Sequence, residues 1–482
     1  MKKIVIIGGG LAGLEVAKKL SGNESFEVIL IDKNNYNFFP PLLYQVSTAF
    51  IEASNISYPF RRLFQKHKNV NFFMGDFVRL ISEQNIVETD AGHVSYDYLI
   101  LAMGTETNFF GNQNIARNAL PMKTIDDAIN LLNHILLCLE EASRTQTLLG
   151  KEKLVNVVIA GGGPTGVELA GMLGEMRKYI GPKEYKAYDQ VLGNVYLVNS
   201  GPTLLVPMSR KAQQDAFKVL TGLGIKILLN TLVKDYVNDM VLLSNGESIP
   251  AKTLIWASGV MARPVSGLSK ESVGPAGRII VDEINLVKGY DNIFAIGDQC
   301  IQFSDNNYPK GHPQLAQVAM QQGRLVGKNL IRKERNKWAK PFTYQNKGSM
   351  AIISKHKAVV DLPFGSFKGF IAWLLNCSFQ IGDLFPAIFF CSLKRYYQES
   401  FNKVDQFIEK ELADSLVATL ETGKSHHIFD PEINSLRAVQ MYCWQIRLAI
   451  SDTTISEIDR PELCGQLRKF FVSGIATSKA VA

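Results

Sequence analysis

Two sets of glycines, Gly8/Gly10/Gly13 and Gly161/Gly163/Gly166, repeat one spacing, Gly-x-Gly-x-x-Gly, at distant places in the chain. The first glycine of such a set turns the backbone tightly, the second lets it approach a pyrophosphate, and the third lets a helix pack close to a strand. The helix N-terminus then aims its unpaired N–H groups at the phosphates. Two sets therefore imply two dinucleotides. Asp32 ends the apolar run Phe26–Ile31, where an acid accepts both ribose hydroxyls of an adenosine. Asn292-Ile-Phe-Ala-Ile-Gly-Asp298 delivers Gly297 and Asp298 to the start of another element, an acceptor suited to ribityl hydroxyls. The first set with Asp32 and Asp298 predicts FAD, and the second a nicotinamide nucleotide.

The second site departs from the usual NAD pattern. After Val195-Tyr-Leu-Val, the ribose-facing position carries Asn199. A carboxylate there repels a 2′-phosphate, whereas an amide hydrogen-bonds a hydroxyl or a phosphate, so NADPH is expected beside NADH as a usable donor. Ser200-Gly201-Pro202 supplies no arginine, and Arg210 reads as a phosphate partner or, more simply, a solvated surface residue. Glu168 follows Gly166 by two residues; its carboxylate either faces the nicotinamide or complements the helix dipole as a first-turn acid. Gln317 and Gln321 are four apart, hence on one helix face, with neutral donors and acceptors to offer.

The elements that must position these groups are legible from periodicity. Ile4–Ile7 reads as a buried strand and Leu14–Leu20 as helix. Tyr96–Thr105 is a strand running into a turn at Gly104; Leu254–Val260 is another, turning at Gly259. Asp126–Ala142 has helical periodicity, and Thr147–Glu152 is a polar connector into the second glycine set. Asn37-Phe-Phe-Pro-Pro-Leu-Leu-Tyr-Gln-Val46 is unsuited to a regular element and reads as an ordered loop, beside a ligand or merely packed. The fold class predicted is α/β: two Rossmann-like three-layer dinucleotide-binding domains, the second inserted in the first, plus a helical C-terminal membrane-associating region. The boundaries expected are 1–120 and 261–330 for the FAD domain, 121–260 for the NAD(P)H domain, 331–400 for a region with an amphipathic anchor, and 401–482 for a helical tail.

At 482 residues and +7 net charge, with a pI near 8.9, the chain is a modestly basic multidomain globular protein. Its six cysteines (138, 300, 377, 391, 443 and 464) show neither C-x-x-C spacing nor a disulfide pattern, so no metal site and a reducing compartment are expected. Lys2-Lys3 before an apolar run resembles a secretory signal, but Gly8-Gly9-Gly10 interrupts it and marks a first strand. No basic run interleaved with aromatics points to nucleic acid.

Over residues 1 to about 375 the chain resembles the type II NADH:quinone oxidoreductases. The resemblance rests on Phe-Phe-Pro-Pro-Leu-Leu-Tyr-Gln at 38–45, Gly166-Val-Glu-Leu-Ala170, Ala316-Gln317-Val-Ala319-x-Gln321-Gln322-Gly323 and Lys347-Gly-Ser-Met-Ala351. It implies that the first run lies beside the isoalloxazine, that Glu168 lies near nicotinamide and flavin, and that Gln317 and Gln321 line a quinone site. Lys347 then serves quinone reduction or is an ordinary turn residue. FAD contacts implied are Gly8, Gly10, Gly13, Asp32, Lys33, Gly104, Gly297, Asp298, Ala316 and Gln317; those to NAD(P)H are Gly161, Gly163, Gly166, Glu168, Asn199 and Gly259. The activity implied is FAD-dependent oxidation of NADH with two-electron reduction of a membrane quinone, without proton pumping, by a homodimer peripheral to the cytoplasmic face of the cell membrane.

From Gly369 to Leu393 the chain turns apolar and aromatic, but Asn376, Gln380, Asp383, Gly382 and Pro386 rule out one clean span; with Lys394-Arg395 behind it, this is an interfacial anchor pattern or a core hairpin. Phe401, Val404, Ile408, Leu412 and Val417 predict an amphipathic helix ending before Gly423, with further helix starts at Pro431 and Pro461. Three rival functions are weighed. A disulfide reductase needs a close cysteine pair in the first domain, which is absent before Cys138. A sulfide:quinone oxidoreductase needs reactive cysteines near the flavin, where Cys300 stands alone. A flavin-bound interaction protein has no motif in its favour.

Overall fold

The computed structural model describes residues 1–180, 193–354, 357–362, 365–368, 413–425, 429–451 and a few isolated positions beyond. The chain forms two compact units, Met1–Lys355 with Asp361–Ser366, and His356–Val360 with Phe367–Ala482.

In the first unit, Lys2–Ile7 is the middle strand of a five-stranded parallel sheet. It pairs with Phe26–Asp32 (Ile4 opposite Val28) and with Tyr98–Leu101 (Ile4 opposite Tyr98). Val70–Met74 forms one edge and Ile293–Ala295 the other. Its strands are mostly apolar because both faces are covered, with Lys2, Glu27 and Asn71 at less buried positions. Ile4 and Ile6 pack with Val16, Leu20 and Leu30 on one side, while Val5 and Ile7 pack with Leu99, Leu101 and Val87 on the other.

A second five-stranded parallel sheet lies between the fourth and fifth strands of the first in chain order. Val157–Ala160 is flanked by Val195–Val198 and Thr253–Trp256, with Lys226–Leu228 and Leu120–Pro121 outermost. An antiparallel ribbon of Thr105–Thr107 and Val260–Ala262 carries the chain out and back. The turns at Gly104 (φ 69°) and Gly259 (φ 80°) take left-handed backbone beside it.

Three local expectations change. Thr147–Glu152 is not a connector: Leu148–Val155 is helical, because the Thr147 hydroxyl accepts the Gly150 N–H and caps its start. The 37–46 run is partly regular, with a 3-10 turn at Pro40–Leu42 and one helical turn at Leu43–Val46. Proline at the first helical position supplies a φ already suited to that turn. Ser349–Ser354, placed beyond the first domain from sequence, belongs to the first unit and lies against the Pro164–Glu175 helix.

In the second unit, Ala413–Ser425 and Ser435–Ser451 pack around Ala413, Leu420, Val439 and Cys443. The first helix runs through Gly423 rather than ending before it. A Cβ at Gly423 would come within 2.1 Å of the Phe429 ring, so this glycine makes room for a side chain. Pro431 lies in a turn, and the next helix begins at Ser435. The expected anchor at 369–395, the 401–412 stretch and Pro461 lie outside the described residues. Among those described, no helix is long and apolar enough to cross a membrane.

Candidate active site

Both glycine sets form the same cradle. A Cβ at Gly8 (φ 101°) would lie 2.3 Å from the Ala102 carbonyl oxygen, and one at Gly13 2.0 Å from that of Gly8. In the second set the figures are 2.5 Å from Ala257 for Gly161 (φ 120°) and 1.8 Å from Gly161 for Gly166. The middle glycines, Gly10 and Gly163, face open space. Each is the N-cap of its helix, Leu11–Leu20 or Pro164–Glu175, and no side chain caps either end. Uncapped N–H groups above an open glycine are what a pyrophosphate requires, so both cradles fit a dinucleotide.

The ends of the adjoining strands differ in charge but share one contact. Asp32 Oδ2 accepts the Gly9 N–H at 2.7 Å, and its Oδ1 accepts that of Asn34 at 2.8 Å. Burial pushes its carboxyl up, against those two donors and the charges of Lys33 and Arg263. Lys33 itself is exposed. Asn199 Oδ1 likewise accepts the Gly162 N–H at 3.0 Å. Its Nδ2 donates to the carbonyls of Gly201 (3.1 Å) and Thr203 (2.9 Å). The expectation that this amide offers donors to a ribose is therefore corrected: both N–H groups already shape the 200–204 turn. Arg210 is exposed at the start of the next helix.

Asp298 follows Gly297 (φ 74°), whose N–H donates to Gln322 Oε1 at 2.7 Å. Burial raises the Asp298 carboxyl, opposed by the charges of Lys123 and Arg278. Arg278 is committed elsewhere, donating to the carbonyls of Cys300 (2.8 Å) and His312 (3.3 Å). Gln299 ties the first sheet to the returning chain: its Oε1 accepts the Met103 N–H and its Nε2 donates to the Arg263 carbonyl, both at 2.9 Å.

Glu168 lies in the second turn of its helix, so the first-turn dipole reading lapses. Gly171, one turn on, sets what faces it. A Cβ at Gly171 would come within 1.6 Å of the Ile353 carbonyl oxygen, so only glycine lets strand Ser349–Ser354 approach this closely. The Ile352 N–H then points at Glu168 Oε1 across 3.4 Å. Desolvation lifts the Glu168 carboxyl to about 8, with that one weak donor opposing.

Gln317 and Gln321 do share a face of Ala316–Glu334, but their amides are not open. Gln317 Nε2 donates to the Gly348 carbonyl at 2.8 Å while its Oε1 accepts the Lys347 N–H at 3.0 Å. Gln321 pairs in the same way with the carbonyl and N–H of Gln345, at 2.9 and 3.0 Å. Each imitates a strand partner and holds residues 345–348 against the helix, leaving the Lys347 side chain exposed. The helix is fixed in turn against Leu11–Leu20. Cβ atoms at Gly323 and Gly327 would meet the Ala12 carbonyl oxygen at 2.3 Å and Lys19 Cβ at 2.8 Å, and Arg324 pairs with Glu15.

Sequence reasoning missed Lys123, Arg278, Gln299 and Gln322. Gln322 was within reach: with Val318 and Val326 it sits on the buried stripe of its helix, where a polar residue needs a partner. The other three carry no local pattern. Among the described residues no group of His, Cys, Asp or Glu is suited to a metal.

Two uncapped glycine cradles at the ends of parallel strands, each of a shape that fits a dinucleotide, point to a nucleotide-dependent oxidoreductase. Residues 2–323 match the pyridine nucleotide-disulphide oxidoreductase family. A type II NADH:quinone oxidoreductase of Mycobacterium tuberculosis is 33% identical over 394 residues, covering 77% of this chain and 82% of the relative. One from Staphylococcus aureus is 30% identical over 369 residues, covering 74% and 89%. The chain belongs to the pyridine nucleotide-disulphide oxidoreductase family and, within it, to the type II NADH:quinone oxidoreductases. It is an enzyme, an oxidoreductase of the NADH dehydrogenase class acting with quinone. Among solved structures, NDH2 of Plasmodium falciparum in complex with NADH superposes with a TM-score of 0.72 at 21% identity, covering 80% of this chain and 95% of that one. The sulfide:quinone oxidoreductase of Aquifex aeolicus gives 0.63 at 20% identity, covering 79% and 90%. At such identities the likeness is one of fold.

Proposed function

We propose that the first cradle holds FAD, the second NADH with NADPH as a weaker alternative, and that a membrane quinone is reduced at the flavin without proton pumping. The observation that carries this reading is the matched pair of cradles, one ending in the acceptor-only Asp32 and the other in Asn199. A flavin bound there supplies the electron store between a two-electron donor and a quinone.

The chain's own residues then divide the work. Gly8, Gly10 and Gly13 admit the FAD pyrophosphate, Asp32 takes the adenosine ribose, and Asp298 takes the ribityl chain. Gly161, Gly163 and Gly166 seat the nicotinamide nucleotide. Glu168, protonated at neutral pH, holds a proton beside the second cradle that a quinone taking up two electrons and two protons needs. Gln317 and Gln321 act by positioning Lys347 and its turn. The enzyme works as a homodimer peripheral to the cytoplasmic membrane surface, its quinone reaching the site from the lipid.

Among the described residues of the first unit, the thiols disfavour the sulfide:quinone reading. Cys300 is buried and its thiol is pushed up to about 12, so it offers no thiolate at neutral pH. Cys138 is buried and likewise raised. The deciding experiment is anaerobic turnover of purified protein with NADH, or with sulfide, and a soluble quinone. Quinone-dependent NADH oxidation by yellow protein is expected; sulfide-dependent reduction without NADH oxidation would overturn the proposal.

A further inference from the structure

Phe109 and Phe110 stand side by side in the loop that follows Thr105–Thr107, and the core accounts for the first of them alone. Phe109 packs inward against the core of the second sheet, its ring 6.1 Å from that of Trp256. Phe110 meets Trp256 edge-on at 6.4 Å but is 68% exposed. Its backbone is left-handed, at φ 51°, a conformation that strains a bulky residue and that Gly111 (φ 78°) continues without strain. The neighbours hold it there. Asn108 Oδ1 accepts the Phe110 N–H at 2.8 Å, and the Asn108 carbonyl accepts Nε1–H of Trp256 at 2.9 Å. On the other side the Asn112 N–H donates to the Phe109 carbonyl at 3.0 Å, and Asn112 Nδ2 donates to that of Lys234 at 2.9 Å. The ring is thus kept in the open by its neighbours' contacts, and backbone strain maintained in this way collects where a ligand is gripped.

The place of the ring decides what it serves. A Cβ at Gly259 (φ 80°) would fall 2.6 Å from Phe110 Cζ, so the ring lies over that glycine. Two residues earlier, the Ala257 carbonyl oxygen would lie 2.5 Å from a Cβ at Gly161, and Ser258 Oγ 2.9 Å from it. The turn 257–259 therefore touches both the first glycine of the second cradle and the Phe110 ring. It leaves the carboxyl end of Thr253–Trp256, which flanks Val157–Ala160 on the side opposite Val195–Val198. The strand order reverses there, and a ligand of such a sheet lies outside the carboxyl ends of the strands across that point. With the adenosine half at Asn199, after Val195–Val198, the half beyond the pyrophosphate crosses toward 257–259.

We propose that Phe110 is the wall against which the nicotinamide half of the bound dinucleotide packs; this rests on NADH occupying the second cradle. A cradle of backbone N–H groups grips phosphate and leaves the heterocycle beyond it free to swing. A rigid aromatic ring, already ordered in the free protein, offers that heterocycle a face or an edge at small entropic cost. Binding then covers the exposed surface of Phe110, and Gly259 lacks the Cβ that would push the ring aside. The adenosine half makes no such contact, because Asn199 and the 257–259 turn follow strands on opposite sides of Val157–Ala160.

The test is isothermal titration calorimetry of the full chain as purified, with NAD⁺ and with ADP-ribose, which lacks the nicotinamide, on wild type, Phe110→Ala, Phe110→Tyr and Phe110→Gly. Phe110→Ala is expected to raise the NAD⁺ dissociation constant about tenfold and to leave that of ADP-ribose unchanged. Phe110→Tyr, which keeps the ring, keeps the wild-type values. Phe110→Gly preserves the loop, because glycine takes this φ without strain, and still loses NAD⁺ affinity as Phe110→Ala does. Unchanged NAD⁺ affinity in the alanine and glycine variants, with wild type binding both ligands, overturns the proposal alone. Equal weakening of NAD⁺ and ADP-ribose also overturns it, because the ring then serves the loop or the adenosine half. Wild-type protein that binds neither ligand overturns this proposal and the nucleotide reading of the second cradle together.

Discussion

Replacing Glu168 with glutamine keeps the shape of the side chain and removes its ionisation. Burial raises the carboxyl from 4.5 to about 8, so between these pH values the folded protein holds a proton that the unfolded chain has released. Stability then falls as pH rises, at about 1.4 kcal/mol per pH unit, and levels off above pH 8. Glu168 is half-buried rather than sealed from solvent, so the total is taken as on the order of 3–5 kcal/mol. Glutamine pays none of this. The difference in unfolding free energy between Glu168→Gln and wild type, from denaturant titrations at equal cofactor loading, should be smallest near pH 5, grow toward pH 8 in favour of the variant, and then stay flat. A pH-independent difference would refute the reasoning, since it would mean that Glu168 titrates alike in both states.

Leucine at position 317 or 321 removes two backbone contacts of residues 345–348, at about 0.5–1.5 kcal/mol each; faster hydrogen exchange there and lower quinone turnover are expected, with anaerobic flavin reduction by NADH nearly unchanged in stopped-flow traces. Asn199→Asp sets a carboxylate against the carbonyls of Gly201 and Thr203. It should weaken NADH and NADPH binding together, by about 1–3 kcal/mol, and dissociation constants by fluorescence titration will show whether one donor is spared. Gly171→Ala drives a methyl into the Ile353 carbonyl, so thermal scans should show destabilisation of roughly 1–3 kcal/mol, and the pH profile of turnover should shift as the Ile352 N–H leaves Glu168.

Much of both sheets was legible because Ile4–Ile7, Tyr98–Leu101, Val157–Ala160, Thr253–Trp256 and Ile293–Ala295 are largely apolar runs leading to a glycine turn, a pattern produced by burial on two faces. Val70–Met74, Lys226–Leu228 and Leu120–Pro121, short or interrupted by polar residues, carry no such signal. Asp32 and Asp298 were legible for the same reason: their positions are fixed by distance from those turns. What periodicity does not carry is which partner a side chain finds. Gln317 and Gln321 were placed on the correct face, yet their amides are taken by backbone groups of the irregular segment 345–348, a contact with no local signature. Asn199 was located at the right strand end, but the carbonyls that occupy its amide belong to the turn just after it, whose shape the sequence leaves open. Lys123 comes within electrostatic range of Asp298 only because the chain returns to its first sheet after the inserted one.

That return dictates an order of assembly. Ile293–Ala295 pairs with Tyr98–Leu101, so the first sheet lacks its outer strand until the whole inserted sheet has been synthesised. At about 5–20 residues per second, the ribosome leaves this edge open for on the order of tens of seconds. The inserted sheet, contiguous in the chain, has every strand it needs before the first does. It closes the long loop that would otherwise separate Tyr98–Leu101 from its partner and shortens the search to the length of a two-strand ribbon. The inserted sheet thus acts during biogenesis as the clasp that lets the first sheet shut.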